Sequence, residues 1–254
     1  MQVTKIGFTP LKGTRHATHG TVELAREGPV GDRLFCLVDP GRERVLRTVE
    51  NPTLVQARSH WADDVLTVRL DGTAHSGELV AKPTPTGRTM EVDYWGRRAV
   101  VEVVDGPWAA AFSRHLGYDV VLARSSRPGE VVYGASVTLV TTGSMSLLGQ
   151  RVGHDVEDAR FRATFLVDAD EPHVEDRWPG RRLRVGDATL QVRAVVPRCA
   201  VVDVGPDTGI RDAPVLKSLA GYRRGEHEVH FGVDAEVVVP GAVRTGDSAE
   251  LERG

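Results

Sequence analysis

Cysteine is close to absent from this chain: Cys36 and Cys199 are the only two in 254 residues. Two such residues make no disulfide framework, and they cannot supply the four thiolates of a structural zinc or iron–sulfur site. Lysine is nearly as scarce, confined to Lys5, Lys12, Lys82 and Lys217, so almost all positive charge is arginine. Arginine grips phosphate or carboxylate through a planar fork, which suits anion recognition, although a GC-rich genome produces the same bias. With a net charge of -3 the chain lacks the electrostatic footprint of a nucleic-acid binder. No apolar run approaches the roughly eighteen residues that span a bilayer. The stretch Met1 to Pro10 has no apolar core of the kind a signal peptide carries. These absences lead us to expect a soluble, cytoplasmic protein with no membrane span and no nucleic-acid partner.

What is present reads as β structure. Leu34–Val38, Leu66–Leu70, Ala99–Val104, Thr164–Val167, Leu190–Val195 and Glu236–Val239 are short runs, most rich in Val or Leu, that close near Gly, Pro or Asp. Leu66–Leu70 and Leu190–Val195 largely alternate apolar and polar residues, the pattern of a half-buried strand. Helix signals are sparse. Pro107 to Leu116 begins with proline and stops at Gly117, Ser144 to Val152 offers Ser144 as N-cap, and Ala213 to Tyr222 carries Pro214 near its start. Lys82 to Gly87, with two prolines and a glycine, reads as a loop. A mainly β, barrel-like architecture with few helices is expected. Walker loop, dinucleotide fingerprint and nucleophile elbow are missing.

Several clusters look like chemistry and read better as ordinary surface. His227-Glu228-Val229-His230 lacks the four-residue spacing that aligns two imidazoles on a helix, and on a strand those histidines point to opposite sides. Asp168 to Asp176 holds five carboxylates and one histidine, the composition of a solvated loop. Cys199 is different. It closes Val195-Val196-Pro197-Arg198-Cys199, which places a thiol at a sheet margin next to a permanent cation. A neighbouring guanidinium favours the thiolate, the form that acts as nucleophile and soft-metal ligand, whereas the alternative is a buried structural cysteine.

Three patches join arginine or lysine to hydroxyls or exposed backbone: Lys12-Gly13-Thr14-Arg15, Gly31-Asp32-Arg33 with Arg47-Thr48 downstream, and Thr141-Thr142-Gly143-Ser144 with Arg160-Phe161-Arg162. Helix N-termini and arginine forks both favour anions. Convergence of the three would suit a phosphate-bearing organic cofactor; any one alone reads as a surface ion pair.

Their order along the chain resembles the MOSC family, named for the C-terminal domain of molybdenum cofactor sulfurases. Residues 1 to about 100, through Phe8 to Gly13 and Gly28 to Phe35, are similar to the N-terminal β-barrel-like domain of that family, and 101–254 to the MOSC domain itself. Marks of the latter are Arg160-Phe161-Arg162, Glu175-Asp176-Arg177-Trp178, Leu183 to Asp187, Pro197-Arg198-Cys199 with Asp207-Thr208-Gly209, Leu216 to Leu219, Phe231-Gly232 and Arg244 to Asp247. The resemblance implies a molybdenum cofactor in its monophosphate molybdopterin form, with the metal held by Cys199. It further implies Lys12 and Arg33 at the phosphate and pterin end, Thr141, Thr142 and Ser144 in a loop over the pterin, and Arg160 and Arg162 beside them. Arg198 would support the ligand thiolate, and Asp203 stands as a proton-handling or supporting residue.

Family members studied as enzymes reduce N-hydroxylated compounds. The reaction implied is removal of oxygen from an N–O bond of a small-molecule substrate, with release as water after uptake of two electrons and two protons. The electrons come from a separate donor protein, since two cysteines leave no room for an iron–sulfur cluster. Two alternatives remain: a sulfur or acyl transferase using Cys199 without metal redox cycling, and a cofactor carrier without turnover. Three departures from the family pattern stand out. Ala163-Thr164 replace a frequent Pro-Asn, Gly13 replaces a serine, and Val196-Pro197 replace polar residues.

Overall fold

Side-chain alternation builds the sheets. In the strand Val65–Leu70, Leu66, Val68 and Leu70 point inward while Arg69 faces solvent, the period-2 pattern of a sheet with one dry face. The computed structural model describes residues 1–71 and 77–252. Strands dominate it, and three α-helices accompany them: α1 (Trp108–Leu116), α2 (Thr142–Val152) and α3 (Val215–Ala220). The chain is therefore a mainly β protein with few helices, as the sequence suggests.

Two large assemblies and two three-stranded sheets organise the described strands. An eight-stranded sheet runs in the order Ala249–Leu251, Arg182–Val185, Ala188–Arg198, Val229–Val239, Val137–Thr141, Phe165–Val167, Val3–Phe8, Ala17–His19. A closed barrel joins Thr84–Tyr94, Arg97–Asp105, Val121–Ser125, Phe35–Asp39 and Arg44–Val45. The N-terminal strand Val3–Phe8 thus pairs antiparallel with Phe165–Val167 in the sheet of the C-terminal half. The division expected near residue 100 falls inside the strand Arg97–Asp105.

Local signals explain most element ends. Helix α1 buries Trp108, Ala111 and Phe112, the i, i+3, i+4 stripe of an amphipathic helix, and stops at Gly117 in the left-handed conformation. Each large side chain so buried contributes about 1.5–3 kcal/mol. Two expectations need correction. Helix α2 is capped by Thr141 rather than Ser144, because the Thr141 side chain accepts from the Ser144 amide and lets the helix begin three residues earlier. The stretch expected as a loop at Lys82 to Gly87 instead enters the strand Thr84–Tyr94; its register slips between Pro85, opposite Val104, and Thr89, opposite Glu102, so Gly87 sits in the irregularity.

Candidate functional site

The segment that carries Lys12 is laced to the one that carries Arg33. Arg33 donates its amide to Thr9, Phe35 to Pro10, and Lys12 to Phe35, at 2.8, 2.9 and 2.8 Å. This ladder carries Lys12 and Arg33 to the wall of one cavity. Arg162 reaches the same place from the other half of the chain, donating from Nη1 to the Thr14 carbonyl at 2.8 Å. Arg33 and Arg162 both hold left-handed backbone, at φ 48° and 51°. Such conformations are costly for residues with a Cβ and concentrate at functional sites.

Cys199 arrives by strand geometry. Ala188–Arg198 pairs with Val229–Val239 up to Arg198, after which Cys199 leaves the sheet and begins the 3-10 turn Ala200–Asp203. Its side chain is exposed. Arg198 turns the other way, donating from Nε to Phe231 O at 2.8 Å and from Nη1 to Phe161 O at 3.0 Å. It thereby ties the Arg160-Phe161-Arg162 turn to the strand that delivers the cysteine. Gly232 is needed for this approach: it sits at φ +72°, and a Cβ there would stand 2.5 Å from Leu139 O and 3.3 Å from Arg198 Nη2.

These elements enclose a cavity of about 480 Å³ lined by six cations (Lys12, Arg33, Arg47, Arg160, Arg162 and Arg198), by Cys199, and by Tyr94, Trp95, Tyr133 and Phe161. Thr48, Thr138, Pro197, Leu216, His227 and Glu228 are among the other wall residues. A larger hollow of about 850 Å³ beside Asp39, Arg42 and Tyr118 holds none of the residues singled out by sequence. Burial, together with Arg33 and Arg162, pushes the Lys12 amine down to about 7. Burial also lowers Arg162 and Arg198, each to about 10. Arg47 Nε and Arg198 Nη2 are buried with no hydrogen-bond partner. Arg33 is paired with Asp32, Arg47 with Asp93 and Glu50, and Arg160 with Glu157 and Asp212. Lys12, Arg162 and Arg198 have no carboxylate partner among the described residues, so the surplus positive charge of the cavity rests on them.

Of the residues expected at a site, the cavity gathers Lys12, Arg33, Arg160, Arg162, Arg198 and Cys199. Thr141, Thr142 and Ser144 stand off it. Thr141 and Ser144 each donate to one oxygen of Glu175, at 2.8 and 2.7 Å, while Thr142 bonds Ala169 and Asp168. The anion at the α2 N-terminus is therefore the protein's own carboxylate. Glu175 is fully buried and its pKa raised by that burial, so one member of the acidic run is no solvated side chain. Asp203 is likewise set apart, accepting the Leu216 amide at 2.7 Å at the start of α3. Residues 125–134 contribute Tyr133 to the wall and 168–180 contribute nothing. Tyr94 and Trp95 were not signalled by sequence; a Tyr-Trp-Gly turn between two strands is their only trace. Cys36 is a packed core residue, its thiol raised to about 12 by burial.

Comparison with known proteins places the chain. The MOSC domain family matches residues 109–250. Mitochondrial amidoxime reducing component 2 of Rattus norvegicus is 31% identical over 96% of this chain and 81% of its own length. Mitochondrial amidoxime-reducing component 1 of Mus musculus is 25% identical over 98% of this chain and 82% of its own. A molybdenum cofactor sulfurase of Danio rerio is 38% identical over 29% of this chain, a stretch that makes up 8% of that protein. Among solved structures, the YuaD protein of Bacillus subtilis aligns over 98% of this chain and 94% of its own, with a TM-score of 0.47 and 13% identity. No helix among the described residues is long and apolar enough to cross a membrane.

Proposed function

The chain belongs to the MOSC family, and on that premise we propose that it is a molybdenum-cofactor-dependent oxidoreductase. It reduces N-hydroxylated or N-oxide-type small molecules with electrons from a separate donor protein. The observation that carries this reading is the meeting of six cations and one exposed thiol on a single cavity. Unfilled bonding capacity supports the fit: the free N–H groups of Arg47 and Arg198 are buried. A phosphate-bearing, heteroatom-rich ligand would satisfy them, whereas leaving them unpaired is costly.

In this assignment Lys12, Arg33 and Arg162 hold the phosphate and pterin end, Arg160 and Arg198 form the adjoining wall, and Cys199 offers its sulfur as the soft ligand. When bound, the cofactor supplies two-electron oxygen-atom chemistry at its metal. The residues of the chain bind and orient it. Lys12, poised to lose its proton near neutrality, regains full charge beside an arriving phosphate. Buried Tyr94 and Phe161 exclude water from the cavity wall. Asp203, Thr141, Thr142 and Ser144 act here by holding the frame behind it, through α3 and α2. The relatives named for amidoxime reduction cover nearly the whole chain and the sulfurase match 29% of it, which favours N–O reduction over sulfur transfer.

The test is molybdenum content and pterin fluorescence of protein from a cofactor-producing host, with Cys199→Ala and cofactor-deficient cells beside it. Near-stoichiometric metal, lost or altered in its coordination in the variant, followed by turnover of N-hydroxylated compounds, is the expected result. Folded protein carrying neither metal nor pterin would sink the reading and turn attention to a persulfide or thioester on Cys199.

A further inference from the structure

Large apolar side chains are costly to leave in water, and single exposed ones are common on protein surfaces. Trp95 and Tyr133 are not single. They are 44% and 62% exposed, both line the cavity of Cys199, and their rings meet with centroids 5.4 Å apart at 53°. That angle leaves the rings splayed rather than closed on each other. Each comes from a different part of the chain: Trp95 from the turn between Thr84–Tyr94 and Arg97–Asp105, Tyr133 from the segment before Val137–Thr141.

The Trp95 side is held in place. The backbone adopts φ 56°, a strained value for tryptophan, and the turn is pinned by the Gly96 amide donating to Asp93 at 2.9 Å. Arg47 lies with its guanidinium carbon 4.4 Å from the indole centroid, itself steadied by Asp93 and Glu50 at 3.6 and 3.8 Å. A guanidinium over an indole is favourable and fixes the plane of the ring. A preorganised aromatic corner therefore lines a polar cavity with much of both rings still open to solvent.

We propose that Trp95 and Tyr133 form a stacking platform for a planar aromatic group of the substrate, which makes the substrates of this chain N-hydroxylated aryl compounds rather than small aliphatic ones. This deepens, and rests on, the N–O reductase reading. Aromatic contacts of this kind tolerate varied ring substituents, because every aromatic ring offers a π face. The platform sets preference at the mouth and leaves the N–O group free to reach inward.

The test compares benzamidoxime with acetamidoxime, which share the N–O head and differ by the ring, in calorimetric titrations of protein from a cofactor-producing host. Wild type is expected to bind the aryl compound about tenfold more tightly, and Trp95→Asn/Tyr133→Ser to bind the two alike. Asparagine tolerates the left-handed turn; Tyr133→Ser alone, at an exposed position, repeats the comparison should the double variant unfold. Equal affinities in wild type, a preference that survives the substitutions, or no binding of either compound overturns the platform. Loss of molybdenum and pterin from the double variant also overturns it, since the rings would then serve the cofactor. An aryl preference in titration without turnover of either compound upholds the platform and counts against N–O reduction instead.

Discussion

Lys12 donates a 2.8 Å hydrogen bond to the hydroxyl of Tyr94, a residue 82 positions further along the chain. The amine also stands 4.6 Å from the centroid of that ring. Tyrosine, unlike a carboxylate, does not offset the charge of the amine, and Arg33 and Arg162 press on it from the same cavity. The contact positions Lys12 while leaving it electrostatically unsatisfied.

That imbalance has a pH signature. The amine is lowered to about 7 in the folded protein, against an ordinary value of 10.5. Between those values the unfolded chain binds more protons, so this group's contribution to stability rises with pH and is lost as pH falls through 7. Lys12→Met is expected to stabilise the ligand-free protein at pH 6 by on the order of 1 kcal/mol. It should flatten the rise between pH 7 and 9 and lower cofactor retention. Thermal unfolding across pH, paired with metal analysis, reads all three.

The two thiols should separate cleanly. Cys199 is exposed, whereas Cys36 is fully buried and raised to about 12 by that burial. An aromatic disulfide reagent is expected to modify one thiol rapidly in the native cofactor-free protein, and a second only at the rate of unfolding. Cys199→Ala abolishes the fast phase and changes stability by less than about 0.5 kcal/mol. A fast phase persisting in that variant would contradict the placement of Cys199.

Gly13, where the family resemblance leads one to expect serine, has a backbone reason to be glycine. It holds φ +93°, and a Cβ there would lie 2.9 Å from Leu54 Cδ1, a fully buried side chain that has nowhere to move. Gly13→Ser is expected to cost about 2 kcal/mol, measured by denaturant unfolding. Thr48 Oγ1 stands 3.7 Å from that Cβ position, and Thr48 lines the cavity. Thr48→Val should therefore reduce cofactor content with little change in the unfolding midpoint.

Glu175 is a carboxylate held in the interior by hydroxyls. Glu175→Ala removes the acceptor that both hydroxyls share, leaving Thr141 and Ser144 to bond each other, opens a buried cavity, and is expected to destabilise by about 2–4 kcal/mol. Glu175→Gln keeps an acceptor and costs far less. Because burial raises the folded pKa of this group, its contribution to stability falls as pH rises above the ordinary glutamate range. Glutamine removes that dependence. A pair of urea titrations at pH 5 and pH 7.5 separates the variants.

The sequence determined what can be written along one strand or one turn. Alternating residues such as Leu66, Val68 and Leu70 announced their strand, Gly117 ended its helix, and the string Pro197-Arg198-Cys199 marked the sulfur. The family resemblance grouped Lys12 and Arg33 with Thr141, Thr142, Ser144, Arg160 and Arg162 about one cofactor; of these the cavity collects the four cations and not the three hydroxyls. Only the tertiary structure decided which nearby hydroxyls face that cavity. Thr141 and Ser144 match the pattern of an anion-binding helix start, but Glu175, 34 and 31 residues away, takes the bonds of their two hydroxyls and fills the seat. Trp95 and Tyr133 meet across 38 residues of chain for a similar reason: their contact depends on where two turns come to rest. Local pattern records which face of a strand is dry; it carries no trace of which distant carboxylate or ring arrives to satisfy a given group, because that is settled by packing alone.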